Sequence, residues 1–101
     1  MSETQMILES TTDAMTASHV LTPMVLGLQA LAVNGKQAHW NVRGENFVAI
    51  HELLDTIVGN AQASADQVAE RIVALGLPVD ARVGTVAART STRVAAGFSQ
   101  W

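Results

Sequence analysis

Residues 47–75 read FVAIHELLDTIVGNAQASADQVAERIVAL, and this stretch decides the fold. No proline interrupts it, and its apolar side chains recur every three or four residues, which is the period of one helix face. Gly76 follows the run and Pro78 comes two residues later, a combination typical of a helix C-terminus. The stretch is therefore predicted to form one long helix, here called helix two.

A second long helix is predicted just before it. Thr22 precedes Pro23, the order in which a capping hydroxyl and a first-turn proline begin a helix. An apolar stripe then continues to about Val42. The polar segment 43–46 contains a glycine and has a suitable length for joining antiparallel helices. Helices one and two are therefore predicted to form an antiparallel hairpin.

The two ends of the chain are less regular. Residues 1–18 are rich in Ser, Thr and Met without a sustained period, and are predicted to be a mobile N-terminal arm or a loosely docked segment ahead of a domain at 19–101. Residues 80–90 are expected to add one or two helical turns. Residues 90–101 resemble a linker.

Composition limits the classes of protein to consider. A chain of 101 residues, 49% apolar and 15% charged, supports a single domain, and its richness in Ala, Leu and Val with no Tyr favours an all-α fold. Cysteine is absent, so any metal must be held by His and carboxylates. A net charge of −3 without a basic run argues against strong DNA binding.

The expected location is cytoplasmic. The N-terminus lacks the basic start and apolar core of a signal peptide. The longest apolar region, 20–33, is interrupted by Pro23, Gly27 and Gln29 and is shorter than the ~20 residues that a spanning helix needs. It is interpreted as a buried helix, and no membrane partner is expected.

Two of the three histidines flank the predicted turn, His39 at the end of helix one and His51 at the start of helix two. On helix two, Asp55 follows His51 by four residues, and Glu70 follows Asp66 by four residues. The two members of each pair therefore lie on one face of the helix, a turn apart. At about 100° per residue, Asp55, Asp66 and Glu70 lie roughly 40°, 60° and 100° around from His51. These four side chains therefore line one stripe.

A single chain cannot close this site, because Asp55 and Asp66 are about 16 Å apart along the helix. Two copies of helix two could cross antiparallel near Asn60 and Ala61. The pair His51 and Asp55 of one copy would then face the pair Asp66 and Glu70 of the other. The residues around the crossing are mostly small, which would permit a close approach. The symmetry would generate two identical sites.

Imidazole with carboxylate suits iron, manganese or zinc, and a carboxylate-rich site with open positions favours redox iron. The alternative is that these are ordinary surface pairs, since acids four residues apart are common on exposed helices. His19 has no acid partner at helical spacing and is interpreted as structural or solvated.

Several motifs resemble the Dps family of miniferritins over about residues 22–90: KQAHWNVRG at 36–44, NF at 46–47, AIHELLD at 49–55, and Asp66 followed by AER at 69–71. The resemblance implies that five residues are metal ligands and catalytic residues. His39, His51 and Asp55 would come from one subunit, and Asp66 and Glu70 from its two-fold mate. Trp40 matches a tryptophan beside the family's site, either a local electron donor or a core residue. Lys36, one turn before His39, could support the ligands from outside the metal's own donors, but is interpreted as a solvated lysine.

The resemblance also implies a function. A ferritin-like four-helix bundle would bind two ferrous ions at each interface site, oxidise them with hydrogen peroxide, and store ferric oxide inside a hollow dodecamer. DNA would thereby be protected from oxidative damage, with association with the nucleoid left open. This chain would supply the first two long helices and a short third one, so we expect a fragment or a chain completed by another polypeptide, with apolar faces exposed.

Two other functions remain open at this point. One is a DNA-binding, DNA-protecting assembly without enzyme activity, and the other is a helical dimer fragment that binds no metal. Salt-sensitive retardation of DNA would favour the first. Equal thermal stability with and without iron would favour the second.

Overall fold

The computed structural model describes residues 2–101. Helix α1 covers Glu3–Asn41, α2 covers Phe47–Ala74 and the short α3 covers Val83–Arg89. Two-residue strands, β1 at Val42–Arg43 and β2 at Ser99–Gln100, pair in parallel. The all-α prediction is confirmed, and this small ladder is the only strand pairing within the described residues.

Helix α1 begins much earlier than predicted. The Ser2 side chain accepts a hydrogen bond from the backbone N–H of Gln5 at 3.1 Å and so caps the helix. The hydroxyls of Thr11, Thr12 and Thr16 donate to carbonyls four residues earlier, so the hydroxyl-rich composition is accommodated inside the helix. The predicted start at Thr22 is therefore wrong.

The expectation of an irregular arm is corrected for residues 3–18, which are helical. Residue 1 lies outside the described residues. The mobility of the arm and the domain boundary at residue 19 stay predictions. Pro23, which was predicted to begin helix one, lies inside α1.

The length of α1 also corrects the expectation that the apolar part of helix one is too short to span a membrane. At 39 residues, α1 is long and apolar enough to cross a membrane by length and composition alone. A core helix of a soluble protein can meet the same test.

The two long helices form the predicted hairpin and bury one apolar seam between them. Its most deeply buried large side chains are Val25 and Leu26 on α1 and Val58 and Ile72 on α2. At Gly35 the helices approach so closely that an added Cβ would lie 2.6 Å from Cγ2 of Val58. This glycine therefore sets the spacing of the helices near the turn.

The ends of α2 match the sequence signals. Gly44 in the turn has φ 116° and Gly76 after the helix has φ 89°, both in the region that favours glycine. The backbone N–H of Leu77 donates to the carbonyl of Ile72, which closes the C-terminus of the helix. Both boundaries of helix two are confirmed to within a residue.

The last residues do not behave as a free linker. The Trp101 N–H donates to the Arg43 carbonyl at 2.9 Å, and the Arg43 guanidinium lies 3.3 Å from the centre of the Phe98 ring. The Gln37 side-chain amide donates to the Ala95 carbonyl at 3.2 Å. The C-terminal segment is thus fastened to the hairpin turn.

The molecule measures 66 × 23 × 14 Å. Its smallest dimension, 14 Å, is about the thickness of a single layer of helices. Both broad faces are therefore open. Large apolar side chains are exposed on each long helix, including Leu31, Val33 and Trp40 on α1 and Leu53 on α2. Apolar exposure of this kind was expected for two helices of a larger bundle.

Candidate metal centre

The hairpin brings the two candidate histidines into direct contact. His39 lies in the last turn of α1 and His51 in the second turn of α2, on either side of the glycine turn. His39 Nδ1 lies 2.6 Å from the His51 carbonyl oxygen, and His51 Nδ1 lies 2.7 Å from the His39 carbonyl oxygen. Each ring therefore bonds the backbone of the other residue. We call this pair the histidine clasp.

The clasp fixes the chemistry of both rings. A carbonyl oxygen can only accept a hydrogen bond, so each Nδ1 must carry the hydrogen. In the neutral ring, Nε2 then keeps its lone pair, which is the form that binds a metal ion. Metal-binding histidines in proteins commonly donate their other ring N–H to a backbone carbonyl in the same way.

The rings also stack. Their centroids are 3.6 Å apart with an interplanar angle of 18°, and the Phe47 ring continues the stack at 5.0 Å from His51. His39 is only 9% exposed. The described residues provide no hydrogen-bond partner for either Nε2, and contain no buried side-chain nitrogen without a partner. Both Nε2 atoms therefore reach the surface.

Asp55 lies one turn after His51 and is paired with Lys36, which was not among the predicted ligands. Its Oδ1 accepts a hydrogen bond from the Lys36 ammonium group. That bond, and then the lysine charge, lower the pKa of the Asp55 carboxyl, with smaller lowering effects from the His39 and His51 rings and partial opposition from desolvation. Asp55 is therefore a carboxylate at neutral pH.

The interpretation of Lys36 as merely solvated is wrong. Its side chain is 34% exposed and forms an ion pair between the two helices. A signal for this contact was present in the sequence. Lys36 lies about one turn before His39 and Asp55 about one turn after His51, so an antiparallel hairpin that pairs the histidines also pairs these two residues.

Asp66 and Glu70 lie farther along α2, and both are exposed. Asp66 lines a shallow cavity of about 180 Å³ together with Gln29 and Gln62. Among residues 2–101, no group of three or more His, Asp and Glu side chains is arranged to hold a metal ion. His39, His51 and Asp55 thus lie near one another on the hairpin, whereas Asp66 and Glu70 lie about 16 and 22 Å from Asp55 along the helix axis.

The predicted crossing region is partly corrected. Ala61 and Ala65 are 3% and 4% exposed, so their side chains face the hairpin core and not a partner. The neighbouring residues that remain exposed are Gly59, Asn60, Gln62, Ala63 and Ser64. A small, open surface still exists at the centre of α2.

The structure also shows how exposed Trp40 and His19 are. Trp40 is 67% exposed, so it does not pack into the core that this chain forms, and the choice between electron donor and core residue stays untested. His19 is exposed, as expected for a solvated residue.

The donor set fits an iron site. It combines two imidazole nitrogens in the metal-binding tautomer with an ionised carboxylate and no thiolate. Because residues 2–101 contain no group of three or more such side chains arranged to hold a metal ion, a site here would need further donors.

Comparison with known proteins identifies the same region. The family described as a ferritin-like domain matches residues 25–97. A DNA protection during starvation protein of Agrobacterium fabrum is 44% identical over 57 residues, which are 56% of this chain and 35% of the relative. A Dps of Microbacterium arborescens, solved in a high iron form, superposes with a TM-score of 0.85 at 67% identity, covering 87% of this chain and 58% of the solved one.

A second solved structure supports the same fold. Dps92 from Deinococcus radiodurans superposes with a TM-score of 0.80 at 34% identity, covering 91% of this chain and 55% of the solved one. The chain therefore spans 35% of the Agrobacterium relative and somewhat over half of the two solved proteins.

Proposed function

Because this chain is a Dps-type member of the ferritin-like domain family, we propose that it oxidises ferrous iron at sites shared between two copies of itself. His39, His51 and Asp55 of one copy and Asp66 and Glu70 of the other hold the iron. The observation that carries the proposal is the histidine clasp, which leaves both Nε2 lone pairs available.

The symmetry of α2 supports the sharing of the site. The positions of His51 and Glu70, and of Asp55 and Asp66, lie equally far from the midpoint between Asn60 and Ala61. An antiparallel two-fold axis at that midpoint therefore places each residue of a pair opposite the other.

Exposed apolar residues extend this pattern. Val48 and Val73 lie equally far from the same midpoint, on the same side of α2 as Asp55, and are 63% and 58% exposed. The two-fold arrangement would place each valine near its counterpart in the partner. The proposed interface thus has polar sites along its length and an apolar contact at each end.

The reaction assigned to this site is a two-electron reduction of hydrogen peroxide. Two ferrous ions, bound as substrate, each lose one electron. The O–O bond of peroxide breaks, and with two protons the oxygens leave as two waters. The chain's own contribution is to place two metals side by side on fixed imidazole and carboxylate donors, so that the oxidant is reduced in pairs of electrons and releases no radical.

We assign protection of DNA to this chemistry. The Agrobacterium relative is named for DNA protection. A chain with a net charge of −3, in which nine acidic residues outnumber six Lys and Arg, has little means of neutralising phosphates. Removal of iron and peroxide protects DNA without contact. Storage of the ferric product inside a cytoplasmic dodecamer is the corresponding proposal for the complete assembly.

The test is an anaerobic titration of ferrous iron, followed by a pulse of hydrogen peroxide and monitored by ferric absorbance. We expect saturable binding and rapid oxidation by the parent, and a loss of at least about tenfold in rate for His51→Ala combined with Asp55→Ala. Glu52→Ala is the matched control, since it removes an exposed acid of the same helix outside the proposed ligand set. A double variant that oxidises iron as fast as the parent would refute the assignment.

A further inference from the structure

The ion pair between Lys36 and Asp55 links the two helices directly beside the histidine clasp. The lysine belongs to α1 and the aspartate to α2, and Oδ1 of the carboxylate accepts from the ammonium group. The aspartate side chain is 57% exposed, so one side of the carboxylate is open while the other is engaged. The lysine therefore engages one oxygen of a proposed iron ligand.

This position gives the lysine a consequence for metal binding. A divalent cation that binds the same carboxylate must either share it with an ammonium group or displace that group. Both options weaken binding, because the first places like charges a few ångströms apart and the second breaks a charge-assisted hydrogen bond. The clasp does not have this competition, since the described residues provide no partner for either Nε2.

We propose that Lys36 is a built-in competitor for Asp55, a positioning residue that weakens metal binding at this carboxylate and is displaced when a divalent cation occupies the site. The inference rests on the proposed function, because it takes Asp55 as a metal ligand. It predicts that the imidazoles and the carboxylate of the proposed site differ in their availability. The imidazoles are free to bind a metal ion, and the carboxylate binds one only after release of the ammonium group.

The alternative is a purely structural ion pair. An exposed pair between two helices contributes little to stability and would have no selective effect on metal affinity. The two roles differ in sign. A competitor lowers metal affinity, so its removal strengthens binding, whereas a residue that only holds the helices together raises affinity or leaves it unchanged.

The first experiment measures the affinity for Zn²⁺ by calorimetry on the full chain. Lys36→Met keeps the apolar stem and removes the charge, and we expect it to bind Zn²⁺ about three- to thirtyfold more tightly than the parent. Lys36→Arg keeps a positive charge and should show no such gain. In an Asp55→Asn background, Lys36→Met should lose its effect, because there is no carboxylate left to compete for.

The second experiment observes the displacement itself. Lys36 is the only lysine among the 101 residues, so ¹⁵N-lysine labelling yields a single Nζ signal. Saturation with Zn²⁺ should move that signal to its position in the Asp55→Asn variant. A signal that does not move while Zn²⁺ binds would overturn the proposal, whatever the affinities are.

The outcomes distinguish the competitor role of Lys36 from the proposed function of the whole site. Equal or weaker Zn²⁺ binding by Lys36→Met than by a parent that does bind would overturn the competitor role and leave the proposed function intact. If neither protein binds Zn²⁺ while both are folded by circular dichroism, both proposals are refuted. Tighter binding together with the shifted lysine signal supports both.

Discussion

At the scale of the residue, the decisive contacts are the two hydrogen bonds of the histidine clasp. Each imidazole is oriented by the backbone carbonyl of the other residue, so neither ring can rotate without breaking a bond of 2.6 or 2.7 Å. The backbone that closes the hairpin therefore also fixes the tautomer of the two proposed ligands. Fold and site depend on the same two carbonyl groups.

The first prediction concerns this tautomer. In the metal-free protein at a pH where the rings are neutral, ¹⁵N spectra should show His39 and His51 protonated at Nδ1, with Nε2 unprotonated. His19, which is exposed, serves as the internal reference. Protonation at Nε2 in either clasp ring would contradict the geometry and remove the main support for metal binding.

Single residues also show the reach and the limit of sequence reasoning. The spacing of His39 and His51 predicted that the hairpin could bring them together, because a short turn places residues at equal distances from it opposite each other. The stacking of the rings and the reciprocal carbonyl bonds depend on side-chain rotation, which the sequence does not specify. Lys36 was misjudged for the same reason, since its long side chain can reach solvent or Asp55 equally well.

At the scale of the element, α1 and α2 are held at a close distance by a glycine. A side chain at position 35 would meet Val58, which is 1% exposed and has a stiff branched side chain. We expect Gly35→Ala to lower the free energy of unfolding by about 1–3 kcal/mol, because the overlap outweighs the gain in helix propensity. Urea unfolding monitored by circular dichroism measures it.

Gly27 provides the matched control on the same helix. A Cβ there meets nothing within 4 Å, so Gly27→Ala should stabilise the chain by up to about 1 kcal/mol. Combining Gly35→Ala with Val58→Ala should cost less than the sum of the two single changes, since the second removes the clashing methyl group. Equal effects at the two glycines would show that the close approach does not exist.

A second prediction at this scale concerns the start of α3. Asp80 Oδ1 accepts hydrogen bonds from Arg82 Nε at 2.8 Å and from the Thr85 hydroxyl at 3.0 Å. The bond to Arg82, and then that to Thr85, lower the pKa of the Asp80 carboxyl far below its usual range.

The sign of the pH effect follows from this direction. A carboxyl whose pKa is lowered by folding contributes stability above its unfolded pKa of about 4 and loses it as the pH falls through the folded value. The protection factor of the Val86 amide, whose N–H donates to the Arg82 carbonyl, should therefore fall in acid in the parent. In Asp80→Asn this fall should be absent, and an unchanged acid response would contradict the assignment.

The elements themselves were predicted unevenly. Both ends of α2 were predicted because Gly44 and Gly76 adopt positive φ and mark them. The start of α1 was missed because Thr22 and Pro23 satisfy the rules for a helix start and yet fit inside a longer helix. Threonines at 11, 12 and 16 bond back to the helix, so a hydroxyl-rich composition did not indicate an irregular segment.

At the scale of the whole molecule, a layer 14 Å thick cannot enclose a site with five ligands. The proposed two-fold arrangement on α2 would supply the missing donors and cover Val48 and Val73. We expect Val48→Asp combined with Val73→Asp to raise the dimer dissociation constant by at least about tenfold, because charges would replace an apolar contact. Sedimentation equilibrium measures the effect.

Val83→Asp is the control for this prediction. Val83 is 87% exposed and belongs to α3, whereas the proposed interface is formed by α2, so its replacement should leave the dissociation constant unchanged. A parent that sediments as a dimer unaffected by the paired change on α2 would place the interface elsewhere.

The central claim is that each iron site takes residues from two copies, and mixing two inactive variants tests it most directly. One variant carries His51→Ala and Asp55→Ala, and the other carries Asp66→Ala and Glu70→Ala. After the two are unfolded together and refolded at equal concentrations, mixed dimers contain one site with all five ligands and one site that keeps only His39. We predict that peroxide-driven oxidation of ferrous iron recovers to about a quarter of the parent rate, while each variant alone stays inactive. Mixed dimers that form and remain inactive would contradict a site shared across the two-fold axis.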